Sequence, residues 1–491
     1  MRRTLGKIWK FAWRSVLVIA VACGVLFWWM NRDTSWDAST AIVAPGTVRE
    51  PRVGVVIVAI AQPAKFETTF WRNATKKILD KVVPWPINVL ARSDRGVVLV
   101  DPARAYAPGE FVPARLADID GREVDANGVP WIDHYRRREV MWVAPNDSIP
   151  NDTGYFLYYE GKQGMPTVAA KTAAKARYLY YAPLRDGYLP HGDQTRALAR
   201  DTLALLQARY PQIVATGFSS VFDPAEKQAA VRRVLDAGAD VIVLGSGQPI
   251  YSDFEELRGS YSEIYKIVEA WRREHGNKSI RIAVAPWMAT EAGYNALWLD
   301  HFAATVPPAT APGQIALGII SLHGLPVSLA NKDSWSKRWP VVADRLKPRM
   351  AAILKAKGYA TTRVEVGSEA FADDIEDTRN QLVSVNELYR EARTKKYALA
   401  IALPIEFLAE NTDTLFAHQA LFFNGLGGYR TYAPPPRDAD WMKPYVRTLR
   451  DGSTTIIYAG AVGGAAQPRA SIVLADAIGR VFPKAAPGAG Q

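Results

Sequence analysis

The feature that most constrains this chain is a set of short, uninterrupted apolar runs, each closed by proline or glycine. VGVVIVAIAQP (53–63) is the first, and ADVIVLGSGQP (239–249) is a second of the same kind. An alternating pattern would suit a strand with one wet face. A continuous run of this length suits a strand covered on both faces, as in a parallel sheet with helices on either side. Further strands are expected at 280–287 (IRIAVAPW), 314–324 (QIALGIISLHG) and 396–405 (KYALAIALPI). Helical periodicity falls between them. AEKQAAVRRVLDAG (225–238) ends at a glycine, as helices often do, and YSEIYKIVEAWRRE (261–274), 341–358 (interrupted by Pro348) and TRNQLVSVNELYREAR (378–393) follow. Strand and helix alternation of this kind builds right-handed β-α-β units.

The 491 residues are enough for two or three domains. We read an N-terminal segment over 1–50, a first α/β half over 51–275 and a second over 276–483, each with a parallel sheet of about four strands. Within the first half, roughly 85–200 lacks clean alternation and is read as an insertion. The tail APGAGQ reads as flexible by composition. Hydrophobic residues make up 48% and charged residues 22%, which argues against widespread disorder. The formal net charge is +11. Its dense cluster is Arg2, Arg3, Lys7, Lys10 and Arg14, and no basic run interleaved with aromatics occurs elsewhere. Nucleic acid is therefore not an expected partner. The one cysteine, Cys23, rules out an internal disulfide, a cysteine-ligated zinc site and an iron–sulfur cluster.

The basic cluster precedes SVLVIAVACGVLFWWM (15–30), which carries no charge and is flanked by Trp13, Trp28 and Trp29. Its length and flanks predict one uncleaved transmembrane helix within 11–30, hence a single-pass protein of the inner membrane with the lipid bilayer as a partner. The run ends in large residues without a small-x-small site, unlike a cleaved signal. The positive-inside rule puts the N-terminus in the cytoplasm and the remainder on the exported, periplasmic side.

Ligands of open parallel sheets bind beyond the carboxyl ends of the strands, and three strand ends here carry unusual residues. SLHGLP places His323 at the lip of the sheet, where an imidazole can ligate a metal or move protons near neutral pH. PIEFLAENTDTLF carries Glu406, Glu410 and Asp413, which on a helix would share one face and raise one another's proton affinity. GSGQ (245–248) is too short and lacks the lysine of a phosphate loop, so a tight turn is expected there. A fourth feature, EVGSEAFADDIED, gathers Glu365, Glu369, Asp373, Asp374, Glu376 and Asp377 on an expected loop. A solvated surface and a divalent-cation site are both compatible with it.

Taken in order, these segments resemble the ferrochelatase family. SLHGLPVSLANKDSW resembles the signature of serine-x-histidine-x-leucine-proline followed by a glycine-aspartate-tyrosine segment, with His323 on the metal-site histidine. PIEFLAENTDTLFAH resembles the later segment in which an acidic residue and a histidine precede glutamate-threonine-leucine. Asp413 falls on its catalytic glutamate and Glu410 on the preceding acidic position. VRRVLDAGADVIVLGSGQPIYSDFEE resembles the segment ending in proline-x-tyrosine-serine, YRTYAPPPRDADWMKPYVRTL the closing segment, and VGVVIVAIAQP the first strand. The resemblance covers most of 53–63 and 213–450. Three departures stand out: Asn411 where the family has histidine, the shorter Asp413 for glutamate, and the insertion in place of porphyrin-cradling loops.

The resemblance implies an α/β fold of two similar chelatase-like halves and a lyase that inserts a divalent metal, ferrous iron foremost, into a porphyrin bent in the cleft between them, in heme biosynthesis. His323, Asp413 and Glu410 would serve the metal, with His323 and Asp413 catalytic, and the metal is a substrate; no prosthetic group is implied. Family members are reached from the cytoplasm, which conflicts with the exported side read above. Two other readings stay open. One is a membrane-tethered protein of this fold that holds porphyrin or metal without chemistry. The other is a chelatase acting on a different tetrapyrrole with cobalt.

Overall fold

A computed structural model describes residues 2–41, 51–64, 189–325, 333–369, 382–415, 418 and 443–482, together with positions 70, 73–74, 77, 99–100, 139–142 and 155–160. The fold is α/β, with parallel sheets flanked by helices. Helix α1 (Arg2–Asn31) is followed by β1 (Val53–Ala59), the short strands β2 (Leu99–Val100), β3 (Glu139–Trp142) and β4 (Tyr155–Glu160), α2 (His191–Arg209), β5 (Ile213–Ser220), α3 (Pro224–Asp236), β6 (Val241–Ser246), α4 (Tyr261–Glu274) and β7 (Arg281–Val284). Then come α5 (Ala292–Thr305), β8 (Ile315–Leu322), α6 (Trp335–Ala356), β9 (Thr361–Ser368), β10 (Val383–Ser384), α7 (Val385–Thr394), β11 (Leu399–Pro404), β12 (Arg447–Asp451), β13 (Thr454–Tyr458) and α8 (Gln467–Gly479).

The first sheet has the order β5-β1-β6-β7 and is parallel throughout. Every residue of β1 and β6 is buried, as their uninterrupted apolar sequences require. Close helix packing explains a glycine in β1: a Cβ on Gly54 would come within 2.7 Å of the Val234 side chain of α3. The second sheet has the order β10-β9-β8-β11-β13-β12. It is six strands wide rather than four, because β9 and β13 flank the two apolar central strands and a hairpin adds β12 antiparallel to β13. Strands β2, β4 and β3 form a separate antiparallel sheet.

One apolar core joins the two sheets. It takes Val53, Val55 and Ile57 from β1, Ala316, Ile320 and Leu322 from β8, and Leu399 and Ile401 from β11, with Trp298 of α5, Leu346 of α6 and Leu474 of α8. The opposite face of the first sheet is covered by α3 and α4, through Val231, Val234, Ile264 and Trp271. That of the second is covered by α7, through Val385, Leu388 and Tyr389. Helix α8 follows the last strand of the second sheet yet packs on the first half. Ile478 sits where a Cβ on Gly245 of β6 would be, at 2.6 Å, Tyr210 stacks on Phe482 at 4.1 Å, and Arg209 of α2 pairs with Asp476 at 2.6 Å.

Several sequence expectations need correction. The stretch 85–200 is not insertion to its end: α2 begins at His191 and belongs to the first core. Strand β7 hydrogen-bonds to β6, so the first sheet crosses the boundary expected at 275. The helix expected over 378–393 starts at Val385, where Ser384 accepts from the Asn386 amide as an N-cap; residues 378–381 lie outside the described ones. Of the loop expected over 365–377, residues 365–368 are strand, the end of β9, and Glu365 there pairs with Arg363 at 2.7 Å. Asp373, Asp374, Glu376 and Asp377 lie outside the described residues, as does the tail beyond 482.

The N-terminal segment is helical over the 30 residues of α1, but among the described residues no helix is long and apolar enough to cross a membrane. The reason is length. The uncharged run 15–30 spans about 24 Å at 1.5 Å per residue, short of a hydrocarbon core of roughly 30 Å. Its side chains, including Val18, Ile19, Trp28 and Trp29, are exposed, and so is Cys23.

Candidate functional site

The site forms where the carboxyl ends of β1, β8 and β11 meet the start of α2. His323 follows β8 directly. Its backbone N–H donates to Glu406 Oε2 at 2.5 Å, and its ring lies 5.9 Å from that of Phe407. The parallel β8–β11 register pairs Ser321 with Pro404, so the chain leaving β11 passes the His323 edge at once. That chain does not become the long helix expected of it. It runs irregularly through Glu406 and Glu410 into a single turn, Thr412–Leu415. Asn411 caps this turn, accepting from the amides of Asp413 (2.7 Å) and Thr414 (3.0 Å). Asn411 thus shapes the backbone of this turn.

Gln62, just beyond β1, fastens the turn to the first half. Its side chain accepts from the Thr412 amide at 2.8 Å and donates to the Thr412 hydroxyl at 3.0 Å. The result places Asp413 Oδ1 3.8 Å from His323 Nε2, with both side chains partly exposed. A small ion or a water fits between such groups, and an imidazole with a carboxylate is a donor set suited to ferrous iron, cobalt or zinc.

The three acidic residues do not share a face. Glu406 is buried, holds the His323 amide and accepts from Trp335 Nε1. Burial pushes its pKa up to about 8. Glu410 is turned toward β13, accepting from Tyr458 Oη (2.8 Å), the Thr414 hydroxyl (2.8 Å) and the Ala461 amide (2.7 Å). Burial raises its pKa to about 7. Its lone pairs are engaged in holding the turn, so the metal role expected of Glu410 finds no support in its contacts. No group of three or more His, Cys, Asp or Glu side chains able to hold a metal ion occurs among the described residues.

Sequence reading missed His191 and Asp333. His191 opens α2 and is buried; Nδ1 accepts from the Gln62 amide at 3.0 Å, which leaves the neutral ring with its proton on Nε2. Burial lowers its pKa to about 4, against a smaller opposing pull from Asp413. A ring that binds protons less readily folded than unfolded contributes stability at neutral pH, and that contribution fades as pH falls from 6.5 through 4. About 3 kcal/mol is at stake. Thermal melts from pH 7 to 4 are expected to show this loss, and His191→Gln to flatten it.

Asp333 clamps the halves. Its carboxylate accepts from the Asp253 (2.8 Å) and Phe254 (3.0 Å) amides of the first half and from Trp335 (2.8 Å) of its own. Asp253 reciprocates by accepting from the Ser334 amide at 3.0 Å. The periodicity legible in the sequence begins only at 341, whereas α6 starts at Trp335 with Ser334 at its N-cap, so no signal marks Asp333 in advance. Of the turn expected at GSGQ, Gly245 and Ser246 are the end of β6, and the Gly247 amide still bonds to β1, donating to Val58 O at 2.8 Å.

No protein-family model matches the chain, and no curated protein does. Among solved structures it is similar to SirB from Bacillus subtilis determined with Fe3+, at 9% identity and a TM-score of 0.33, over 59% of this chain and 92% of that one. It is also similar to DR2241 from Deinococcus radiodurans, described as a multi-domain protein with structural similarity to chelatases and two additional novel domains. That match has 12% identity and a TM-score of 0.29, over 59% of this chain and 51% of that one. A solute-binding protein of an ABC transporter from Bradyrhizobium, with bound bis-tris, matches at 10% identity and a TM-score of 0.27 over 60% of this chain and 75% of that one. Scores this low, shared between a metal-bound protein and a solute-binding protein, say nothing about chemistry.

Proposed function

We propose that the chain inserts a divalent metal, ferrous iron foremost, into a porphyrin held against the His323–Asp413 edge, a ferrochelatase-type lyase reaction of heme biosynthesis. The observation that carries this is the 3.8 Å approach of His323 Nε2 to Asp413 Oδ1 at the carboxyl edge of a parallel sheet, in segments whose sequences resemble that family. Insertion breaks two pyrrole N–H bonds, and the nitrogen lone pairs pass to the metal. His323 and Asp413 act as metal donors on approach and as bases for a departing proton. Incubating the purified full-length chain with a porphyrin and Fe2+, Co2+ or Zn2+ in turn, and following the change in porphyrin absorbance, tests it. Absence of insertion with every metal ends the reading; insertion of cobalt into another tetrapyrrole alone would change the substrate.

Asp413→Glu is the sharper test of alignment. It restores the family's longer carboxylate and is expected to retain or raise the rate. A loss of tenfold or more, with unchanged melting, would mean that the wrong carboxylate has been aligned.

A second reading, a protein that holds porphyrin or metal without chemistry, draws on Asn411, whose side chain is occupied as a cap. Porphyrin binding without insertion is its signature.

We further propose that α1 attaches the protein to the inner membrane, with the remainder on the exported side. The exposed apolar run Val16–Met30 beside a basic cluster supports this. A cysteine introduced at Ser39 is expected to react with an impermeant thiol reagent in intact cells; labelling only after lysis would reverse the orientation.

A further inference from the structure

Behind the cleft, a second imidazole–carboxylate pair is completely enclosed. His418 Nε2 lies 3.1 Å from Glu369 Oε1, and both side chains are shut off from solvent. Ser321 joins them: its hydroxyl donates to Glu369 Oε1 at 2.6 Å and lies 3.3 Å from His418 Nε2. Tyr389 Oη lies 3.4 Å from His418 Nδ1, and the His418 ring stacks on Tyr458 at 4.1 Å. Tyr458 in turn donates to Glu410.

The two pairs share the 411–418 segment and use it in opposite sense. In the cleft, the β8 side supplies the imidazole, His323, and the 411–418 segment the carboxylate, Asp413. In the interior, the end of the neighbouring strand β9 supplies the carboxylate, Glu369, which is hydrogen-bonded to Ser321 and through its amide to Leu322 O at 2.7 Å. The 411–418 segment supplies the imidazole, His418. Ser321 lies in β8 and His323 follows the strand directly, two positions on and about 6–7 Å away along an extended backbone, a gap that two waters in series span.

Burying two such groups costs several kcal/mol that apolar side chains would not incur. Packing alone does not call for them. We propose, resting on metal insertion at His323–Asp413, that the Glu369–His418 pair is the acceptor of the second of the two pyrrole protons, reached from the cleft by way of Ser321. In this step a pyrrole N–H bond breaks, its electron pair turns to the metal, and the proton ends on the pair; no electron is gained or lost overall. His323 and Asp413 take the first proton. The groups around His418 are compatible with this. Ser321 and Tyr389 can pass or hold a hydrogen bond, and Tyr458 faces the ring.

The test is the pH profile of insertion by the full-length protein, in wild type, Glu369→Gln and His418→Gln. Glu369→Gln is nearly isosteric and guards against a misfolded His418 variant. Expected are unchanged KM values for porphyrin and metal, a fall in kcat on the order of 10²-fold near pH 7, and recovery toward the wild-type rate as pH rises and hydroxide takes the second proton. A merely structural role would lower the rate equally at all pH values. Wild-type profiles in both variants, or a loss independent of pH, overturn the proposal while leaving metal insertion standing. A wild type that inserts no metal overturns both.

Discussion

Replacing His323 with alanine is expected to reduce metal insertion by on the order of 10²- to 10⁴-fold, the range that a positioned base contributes, with the melting temperature almost unchanged. The side chain follows β8 at the sheet lip and is partly exposed, so little packing is lost. The contact that orders this edge is made by the His323 backbone amide to Glu406 and survives the substitution. The measurement is insertion rate against thermal stability on the same sample. A variant that stays folded and inserts metal at the wild-type rate would remove His323 from the chemistry. The range also separates roles: loss of a metal donor raises the KM for metal, whereas loss of a base lowers kcat.

Asp333→Ala is expected to have the largest effect on stability. One buried carboxylate accepts from three amides, two of them in the other half. Removing it strands those donors at about 1–3 kcal/mol each, or some 4 kcal/mol in all after partial relaxation. Chemical denaturation measures this. The same variant should raise the KM for porphyrin, because residues 253–260 then lose their fastening to the start of α6. Asp333→Asn keeps an acceptor and should recover part of the loss; a melt within 1 kcal/mol of wild type for Asp333→Ala would show that the clamp is dispensable.

How much of this could be read beforehand depended on burial. β1, β6, β8 and β11 are legible because both faces are covered and almost every residue is apolar. β5, IVATGFSS, and β9, TTRVEVGS, lie at or next to a sheet edge and are only partly buried along much of their length, so their sequences carry polar residues and no clean period. α2 was hidden because the irregular stretch before it has no boundary signal until Pro190. His323 and Asp413 could be named from segment order. The helical face expected for Glu406, Glu410 and Asp413 failed because Asn411 caps a turn in mid-segment, and a cap restarts the backbone direction. Glu369 and His418 could not be paired at all: 49 positions separate them, and only the folded strand order brings them together.

The return of α8 to the first half has a consequence for synthesis. Residues 467–482 supply the last apolar cover for β6 and the stacking partner of Tyr210. While the ribosome is still translating the second half, that flank of the first sheet is covered only in part, by α2, however complete its strands. Folding cannot proceed half by half in the order of translation. A nascent chain arrested before Gln467 should recruit holdase chaperones through that flank and yield to protease, and release of the next sixteen residues should end both.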